Sequence, residues 1–596
     1  MKRLQLLFTP IRIGPMEVKN RLVMAPMSAN LSSESGHVTP SLVEFFAARA
    51  RGGVGLILTG DVTVDGKARY NRRGLGLYDD ESIGPWKDLT RAIHAHGARI
   101  APQLVHPSLN ARLAFSGVQT MAASPIASRR TRELPRELRI DEIEKITVQF
   151  GDAACRAREA GCDAVQIHCA HCHHLLASFL SPLYNKRTDA YGGDIHGRLR
   201  LVLEVVRHIR ARVGSEFPIL MRISGAEVEP GGRTIEETRY IAPILEEAGV
   251  EALQISAGTT NLPWVVEPPT GSHAAVNAAL SAAVKEAVRV PVISVGRIIH
   301  PWVAEDVLKT GKADMVAMGR ALLADPDFPK KAAAGRWGEI APCVGDLHCL
   351  MSLYGDRTIS CLVNYTAGRE SEASLIASNQ PKKILVAGGG PGGLEAARVA
   401  ALRGHQVTLM EKSSAPGGQF LTASFPPTKQ EFTCLVQYLA NQVNQAGVSV
   451  ELNKEVTPEV VAEIRPDSIV VATGGLPATS AEIPGMDQDH VVCSWDVLMG
   501  RVMPGLKVLV IRGGTTGCET ADFMAHPVDD SNPKGTRVTV LEMLDHMMPD
   551  DLSPRRSLLI QRLQSKGVRM ITEARVTEIL KDGVKYLQRG EEKVLR

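Results

Sequence analysis

The sequence predicts an α/β protein: an N-terminal TIM (β/α)8 barrel followed by a Rossmann-like, dinucleotide-binding region that is short at its C-terminus. Three observations predict it. Up to Arg320 a short β-branched run, a loop and a longer segment of helical period recur eight times. The polar residues of that half gather where the runs end. After Gln380 two strand, glycine turn and helix patterns follow one another.

The eight runs are Arg21–Ala25, Val54–Thr59, Arg99–Leu104, Ala164–His168, Ile219–Ile223, Ala252–Ser256, Val292–Val295 and Met315–Met318. Helical segments such as Glu142–Glu159, Arg198–Arg212, Ile235–Glu247 and His300–Lys309 lie between them. Gly161, Gly214, Gly249 and Gly311 stand where helices should stop. In a barrel of this kind chemistry belongs at the strand ends. Strand one ends in Pro26-Met27, strand two in Gly60, and strand three in Gln103 with His106 beyond. Strand four runs into "IHCAHCHHLL", which carries His168, His171, His173 and His174. Arg222 stands inside the apolar strand "ILMRIS"; a buried guanidinium keeps its proton and needs an anionic or carbonyl-rich partner, so it points to the edge of a bound cofactor. Strands seven and eight end in Gly296-Arg297 and Gly319-Arg320, where glycine admits close approach and arginine forks a phosphate.

In the second half, "KKILVAGGGPGGLEAARVAALRGHQVTLMEK" carries Gly388, Gly390 and Gly393 between strand and helix, and its second strand ends at Glu411. The glycines let pyrophosphate approach the helix N-terminus, and the acid accepts from a ribose hydroxyl. "KVLVIRGGTTGCETADFMA" repeats the pattern with Gly514 and Gly517, and its second strand ends at Glu542, an acid that favours NADH over NADPH. Arg512 stands at the first glycine position, a departure that puts nicotinamide binding in question.

Between the halves, Cys343, Cys349 and Cys361 are spaced Cys343-x-x-Asp346-x-x-Cys349 and then eleven residues to Cys361. A cluster with Asp346 as fourth ligand, a three-iron cluster and three free thiols are the competing readings; the retained cluster is preferred because the three cysteines and their flanking sequence are kept, and soft thiolates suit iron and sulfur. A zinc site suits the long arm to Cys361 less well, and zinc is likewise the lesser reading of "HCAHCHH".

Composition bounds the partners. At 596 residues several domains are expected. The net charge of +3 arises from 68 basic and 65 acidic residues without a basic stripe, so no nucleic acid is expected. No membrane span is expected either, which with the sparse cysteines places the chain in the cytoplasm. An oligomer is possible.

"RLVMAPM", "QLVH", "IHCAH", "FLSPLYNKRTDAYGG", "VGRI" and "MGRALLADPDFP" occur in the order and places of the old yellow enzyme family, which the first half resembles. The resemblance implies FMN, with Pro26, Met27, Gly60, Gln103 and Arg222 near its ring or ribityl chain and Gly296, Arg297, Gly319 and Arg320 near its phosphate. His168 and His171 match the pair that holds the substrate carbonyl. The second half resembles the FAD-binding half of pyridine-nucleotide disulfide reductases, supported by Gln419 and "VVATGG". The whole chain is similar to the subfamily of 2,4-dienoyl-CoA reductase, trimethylamine dehydrogenase and bile-acid ene-oxidoreductases, where four cysteines bind a [4Fe–4S] cluster.

The implied organisation is residues 1–340 for the FMN barrel, 341–379 for the iron-sulfur loop and linker, 380–500 for an incomplete FAD domain and 501–596 for an NAD(P)-like domain, possibly truncated. The implied activity is an NADH-dependent ene-reductase, or desaturase in reverse, for an enone or enoyl thioester. The alternatives are an amine dehydrogenase, disfavoured by an aromatic content of 4%, and a flavin carrier with a disabled nicotinamide half. The family's proton-donating tyrosine is replaced by His173, with His174 inserted after it. A histidine general acid implies turnover that falls as pH rises, and His173 is the preferred donor because its distance from His171 is unchanged.

Overall fold

In the computed structural model the chain divides into two units, Met1–Pro268 with Ser272–Ser374, and Pro269–Gly271 with Leu375–Arg596. All residues are described except 1–3, 70, 129–130, 173, 373–374, 478–482 and 527–534.

Eight parallel strands form the first unit: β1 (Leu22–Met24), β2 (Leu56–Thr63), β3 (Arg99–Val105), β4 (Val165–Cys169), β5 (Ile219–Ser224), β6 (Ala252–Ser256), β7 (Val292–Val295) and β8 (Met315–Met318). Each pairs with the next and β8 pairs with β1, which closes the barrel. Both faces of every strand are covered, so the runs are almost wholly apolar. The outer ring includes α1 (Pro40–Arg51), α2 (Ile83–His94), α3 (Ile140–Glu159), α4 (Ile195–Val213), α5 (Ile235–Glu247), α6 (Ala278–Lys285) and α7 (Pro301–Lys309). Local chemistry sets their ends. Thr234 and Glu237 form a capping box on α5, and Asp194 accepts from two backbone N–H groups at the start of α4. Gly161, Gly214, Gly249 and Gly311 all have positive φ, as expected of helix stops.

The inward face of each strand advances by two residues, and the layers change character along it. Val23, Leu58, Ala101, Ala164, Leu220, Ala252, Ile293 and Met315 form one buried apolar cluster with Ile13, Met16 and Val18 of the N-terminal hairpin. Two residues further along, Gln103, Gln166 and Gln254 form a hydrogen-bonded chain: Gln103 Nε2 donates to Gln166 at 2.7 Å, and Gln166 Nε2 to Gln254 at 3.2 Å. One more step reaches the open end of the barrel.

Strand β2 corrects the expected ending at Gly60. It continues to Thr63, with a register break against β3 between Leu58 and Asp61. A Cβ on Gly60 would lie 2.5 Å from the backbone of Met27 and Ser28, so only glycine lets the two segments approach. The break turns Asp61 toward the barrel mouth, where it lines the cavity.

In the second unit, β9 (Lys383–Ala387), β10 (Gln406–Glu411), β11 (Ser449–Leu452) and β12 (Ser468–Val471) form a parallel sheet in the order β11-β10-β9-β12. A second parallel sheet holds β13 (Lys507–Ile511), β14 (Arg537–Leu541) and β15 (Arg569–Ile571), and an antiparallel meander holds β16 (Ala574–Leu580), β17 (Gly583–Gln588) and β18 (Glu591–Leu595). Among the described residues, no helix is long and apolar enough to cross a membrane.

Candidate active site and nucleotide cradles

A cavity of about 270 Å³ opens at the C-terminal ends of the barrel strands. Its wall includes Pro26, Met27, Gln103, His168, His171, Arg222, Gly296, Arg297, Gly319 and Arg320, so most of the strand-end residues singled out in the first half converge on one space, whereas His106 is buried outside the wall, 3.8 Å from Asp65. Gly60 lies beside it, against Met27.

Arg222 points inward from β5, two residues after the core residue Leu220. Its Nη2 donates to Ser256 Oγ at 3.3 Å, and its Nε is buried with no hydrogen-bond partner. Burial lowers its pKa to about 10, against the opposing pull of Asp61 and Glu267. Arg320 is held by the Pro268 carbonyl at 2.8 Å, while its Nη1 is a buried donor without a partner. Gly296 has φ +132°, and a Cβ there would lie 2.7 Å from Asn277 Nδ2; one on Gly319 would lie 2.9 Å from Met27 Sδ. Two buried donors of positive charge beside two glycines with no room for a side chain fit a phosphorylated, carbonyl-rich ligand of the flavin mononucleotide type.

His168 ends the inward face of β4. Its Nδ1 accepts from the Ala170 N–H at 3.2 Å, which leaves Nε2 as the donor. His171 and Cys172 then adopt left-handed conformations, φ +66° and +61°, so the chain turns sharply and brings the His171 ring within 5.6 Å of the His168 ring. Ser256 Oγ stands 2.7 Å from His171 Nε2 and accepts from Arg222. His173 lies outside the described residues. His174 is buried behind the wall, its ring 4.4 Å from that of His168 and its Nε2 3.5 Å from Asp61. Among the described residues, Asp61, His168 and His174 bring ligand-type atoms within 4.8 Å of one another, whereas Cys169 and Cys172 do not join them. Their thiols are pushed up by burial, that of Cys169 to about 12.

The cysteine loop reaches the same cavity, since the helix α8 (His348–Tyr354) places Cys349, Leu350, Leu353 and Tyr354 in its wall. Burial raises the thiols of Cys343, Cys349 and Cys361, the last to about 12, and each feels the negative charge of another cysteine or of Asp346. Desolvated thiols set together ionise only when a cation takes up the charge, so the donor set fits an iron-sulfur cluster. Asp346 accepts from the His348 N–H at 2.9 Å, and the His348 ring meets Ser360 at 3.1 Å.

The two nucleotide turns of the second unit match bond for bond. In the first, Gly388 has φ +111°, its N–H donates to Met410 at 2.8 Å, and the Gly389 N–H donates to Glu411 Oε2 at 2.7 Å. In the second, Arg512 has φ +79°, its N–H donates to Leu541 at 3.0 Å, and the Gly513 N–H donates to Glu542 Oε2 at 2.7 Å. A Cβ on Gly393 would meet the Gly388 carbonyl at 1.9 Å, and one on Gly517 the Arg512 carbonyl at 2.1 Å. Arg512 therefore keeps the tight turn by occupying the left-handed region, and it is exposed. Gly390 and Gly514 cap α9 (Pro391–Leu402) and α10 (Thr515–Met524), whose N-termini face the space a pyrophosphate needs. Gln419 Nε2 donates to the Gly475 carbonyl at 2.5 Å, tying the two loops flanking the first turn.

Sequence reasoning did not single out Asp61, Asn71, Asn110, Arg112 and Glu267, which also line the cavity. Only Asp61 carried a signal, as an acid directly after a strand-end glycine.

Comparison with known proteins agrees with this geometry. Residues 6–339 match the NADH:flavin oxidoreductase / NADH oxidase family, and residues 382–596 match the pyridine nucleotide-disulphide oxidoreductase family. The chain is 40% identical to an NADH oxidase of Thermoanaerobacter brockii, over 97% of this chain and 89% of that one. It is 35% identical to a cinnamate reductase of Clostridium sporogenes, over 91% and 84% of the two chains. The solved structure of a 2-naphthoyl-CoA reductase in complex with 2-naphthoyl-CoA superposes with a TM-score of 0.94 at 29% identity, covering 100% of this chain and 91% of that one. Barrel, cavity and paired nucleotide folds thus place the chain in the NADH:flavin oxidoreductase / NADH oxidase family.

Proposed function

We propose that the protein reduces a C=C bond conjugated to a carbonyl with NADH as donor, acting on an enone or enoyl thioester. The observation that carries this reading is His168 and His171 sharing one cavity with Arg222, Arg297 and Arg320. FMN would be held by Pro26, Met27, Gly60, Gln103, Arg222, Gly296, Arg297, Gly319 and Arg320. FAD would be held by Gly388, Gly390, Gly393, Glu411 and Gln419, and NADH by Gly514, Gly517 and Glu542. A [4Fe–4S] cluster would be held by Cys343, Cys349, Cys361 and Asp346. Bound, these groups supply hydride and single-electron transfer. Residues 1–340, 341–379, 380–500 and 501–596 are the corresponding domains. The cinnamate and naphthoyl-CoA reductases to which the chain is similar support the substrate chemistry.

The chain's own residues polarise the substrate. The Nε2–H of His168 and a ring N–H of His171 are the donors available to a carbonyl oxygen, and hydrogen bonds to that oxygen strengthen as it gains enolate charge. The α-carbon then needs a proton. His174 is the described histidine placed to hold one, against Asp61 and His168, which both face the cavity.

Anaerobic turnover of NADH with an aliphatic enone, an enoyl thioester and a methylated amine, with product analysis, tests the reading. Saturation of the C=C bond, with kcat/KM reduced at least a hundredfold in His168→Ala and His171→Ala, is expected. Reduction of the flavin by the amine without alkene turnover would assign the protein to amine oxidation instead. His174→Phe should slow single-turnover reoxidation of the reduced flavin by the enone; an unchanged rate would exclude it as the proton source.

A further inference from the structure

We propose that Arg112 and Asn110 form a subsite for a carboxylate borne by the substrate itself, so that the preferred substrate is an unsaturated carbonyl compound with an anionic end. This rests on the ene-reductase reading and specifies its substrate class. Both residues lie on the segment that follows β3 and line the same cavity as the histidine pair. Arg112 is half-buried beside Phe115, its guanidinium carbon 6.0 Å from the ring centre. Among the described residues its guanidinium has no carboxylate and no hydrogen-bond acceptor. Each of the other arginines in the wall has at least one partner, Arg222 with Ser256 and the charges of Asp61 and Glu267, Arg297 with the Ser272 carbonyl at 3.4 Å, and Arg320 with the Pro268 carbonyl, although Arg222 Nε and Arg320 Nη1 stay unpartnered.

Asn110 lines the same cavity. Its side chain is 5% exposed and its Oδ1 is buried without a partner. An unpartnered Oδ1 is an acceptor, which an anion does not satisfy; what Asn110 can offer a carboxylate is an N–H of its amide. A carboxylate takes two N–H donors of a guanidinium and one from a turned amide.

The wall also holds carboxylates that bear on an anion's choice of place. Glu267 accepts from the Tyr354 hydroxyl at 3.3 Å and acts electrostatically on Arg222, as does Asp61. Asp356 is exposed at the rim. An anion is therefore best placed at Arg112, whose guanidinium has no carboxylate against it among the described residues. A carrier phosphate is separated from its thioester by a long arm and would lie outside a space of this size, which favours a carboxylate on the substrate.

The test uses the purified holoprotein. Calorimetric titration with benzoate and with benzamide, its neutral counterpart, is expected to show benzoate binding at least tenfold tighter. Arg112→Gln should bring the ratio near one, and Arg112→Lys should retain part of it. Turnover of an aryl enone bearing a para-carboxylate, compared with its methyl ester, should show the same preference in kcat/KM. Equal binding of benzoate and benzamide by the wild-type protein overturns the subsite, and so does a preference unchanged in Arg112→Gln. A benzoate preference that depends on Arg112, without alkene reduction of either compound, would uphold the subsite and refute the ene-reductase reading. Coenzyme A competing with benzoate as tightly as a para-carboxylate enone does would assign the cation to a carrier phosphate and overturn the substrate-carboxylate assignment.

Discussion

Replacing Arg222 by methionine separates the folding cost of the cavity from its binding function. The guanidinium pKa is depressed to about 10 by burial, which at 1.36 kcal/mol per unit corresponds to roughly 3 kcal/mol of unfavourable environment for the charged form. The sign follows from the cation: its proton is bound less tightly in the folded chain than in the unfolded one. The penalty is therefore complete at every pH below about 10 and relieved only above it. Methionine is of comparable length, carries no charge and leaves Ser256 with His171. Apo Arg222→Met should be more stable than the wild-type apoprotein by about 1–3 kcal/mol in urea denaturation followed at the barrel. Its affinity for FMN should fall at least tenfold, measured by flavin fluorescence quenching. The stability gained on adding FMN should then be large for the wild type and small for the variant. A variant that loses stability without flavin while binding FMN normally would show that Arg222 is a structural residue, and the reasoning would fail.

Three further outcomes are expected. Anaerobically purified protein should contain iron and sulfide, and Asp346→Cys should slow loss of iron in air, since a thiolate replaces a harder ligand; protein with flavin and no iron would exclude the cluster. NADH should be preferred over NADPH by at least tenfold, or about 1.4 kcal/mol, because Glu542 closes the second turn where a 2′-phosphate would lie; equal rates would show that this acid does not face the ribose. Arg512→Gly should stabilise the second unit by up to about 1 kcal/mol, the left-handed strain of a side chain at φ +79° less the greater unfolded-state freedom of glycine; destabilisation would mean that the guanidinium itself holds the turn.

Much of the barrel and its rim was legible because both rest on periods that sequence displays. A strand's inward face advances by two, so once Leu220 is core, Arg222 must point the same way. Glycine at strand ends reports backbone crowding, as Gly296 and Gly319 show. What sequence could not display depends on chain paths between elements. Asp61 enters the cavity only because β2 breaks register at Gly60, and Asn110 and Arg112 reach it only through the course of the loop after β3. His174 faces Asp61 because two consecutive residues, His171 and Cys172, take left-handed conformations, which spacing along "HCAHCHH" does not predict. Arg512 looked like damage to a glycine pattern, yet the turn it occupies keeps every backbone bond of its counterpart at Gly388.

The distribution of unsatisfied groups through the barrel carries a final consequence. The lowest inward layer is apolar and closed, and the glutamine chain above it is bonded until Gln254 Nε2, which is buried without a partner. Beyond the level of Gln254 the cavity wall holds further unpartnered atoms, Arg222 Nε, Arg320 Nη1 and Asn110 Oδ1, and others lie in the helix ring, such as Arg49 Nη2 of α1, Gln149 Oε1 of α3 and His208 Nε2 of α4. Each costs free energy in the empty chain, and none is compensated by better packing of its own side chain. A closed parallel barrel tolerates this because its stability comes chiefly from the apolar layer and the packing of the helix ring. The groups in the wall occupy two distinct parts of one cavity, the strand-end arginines and the segment after β3. The first fits a phosphorylated flavin, and in the second the Arg112 guanidinium suits an anionic substrate, so the wall is divided between a ligand that stays and one that turns over. Loss of flavin should accordingly raise the exchange of amide hydrogens at the ends of β7 and β8 more than in the segment around Arg112.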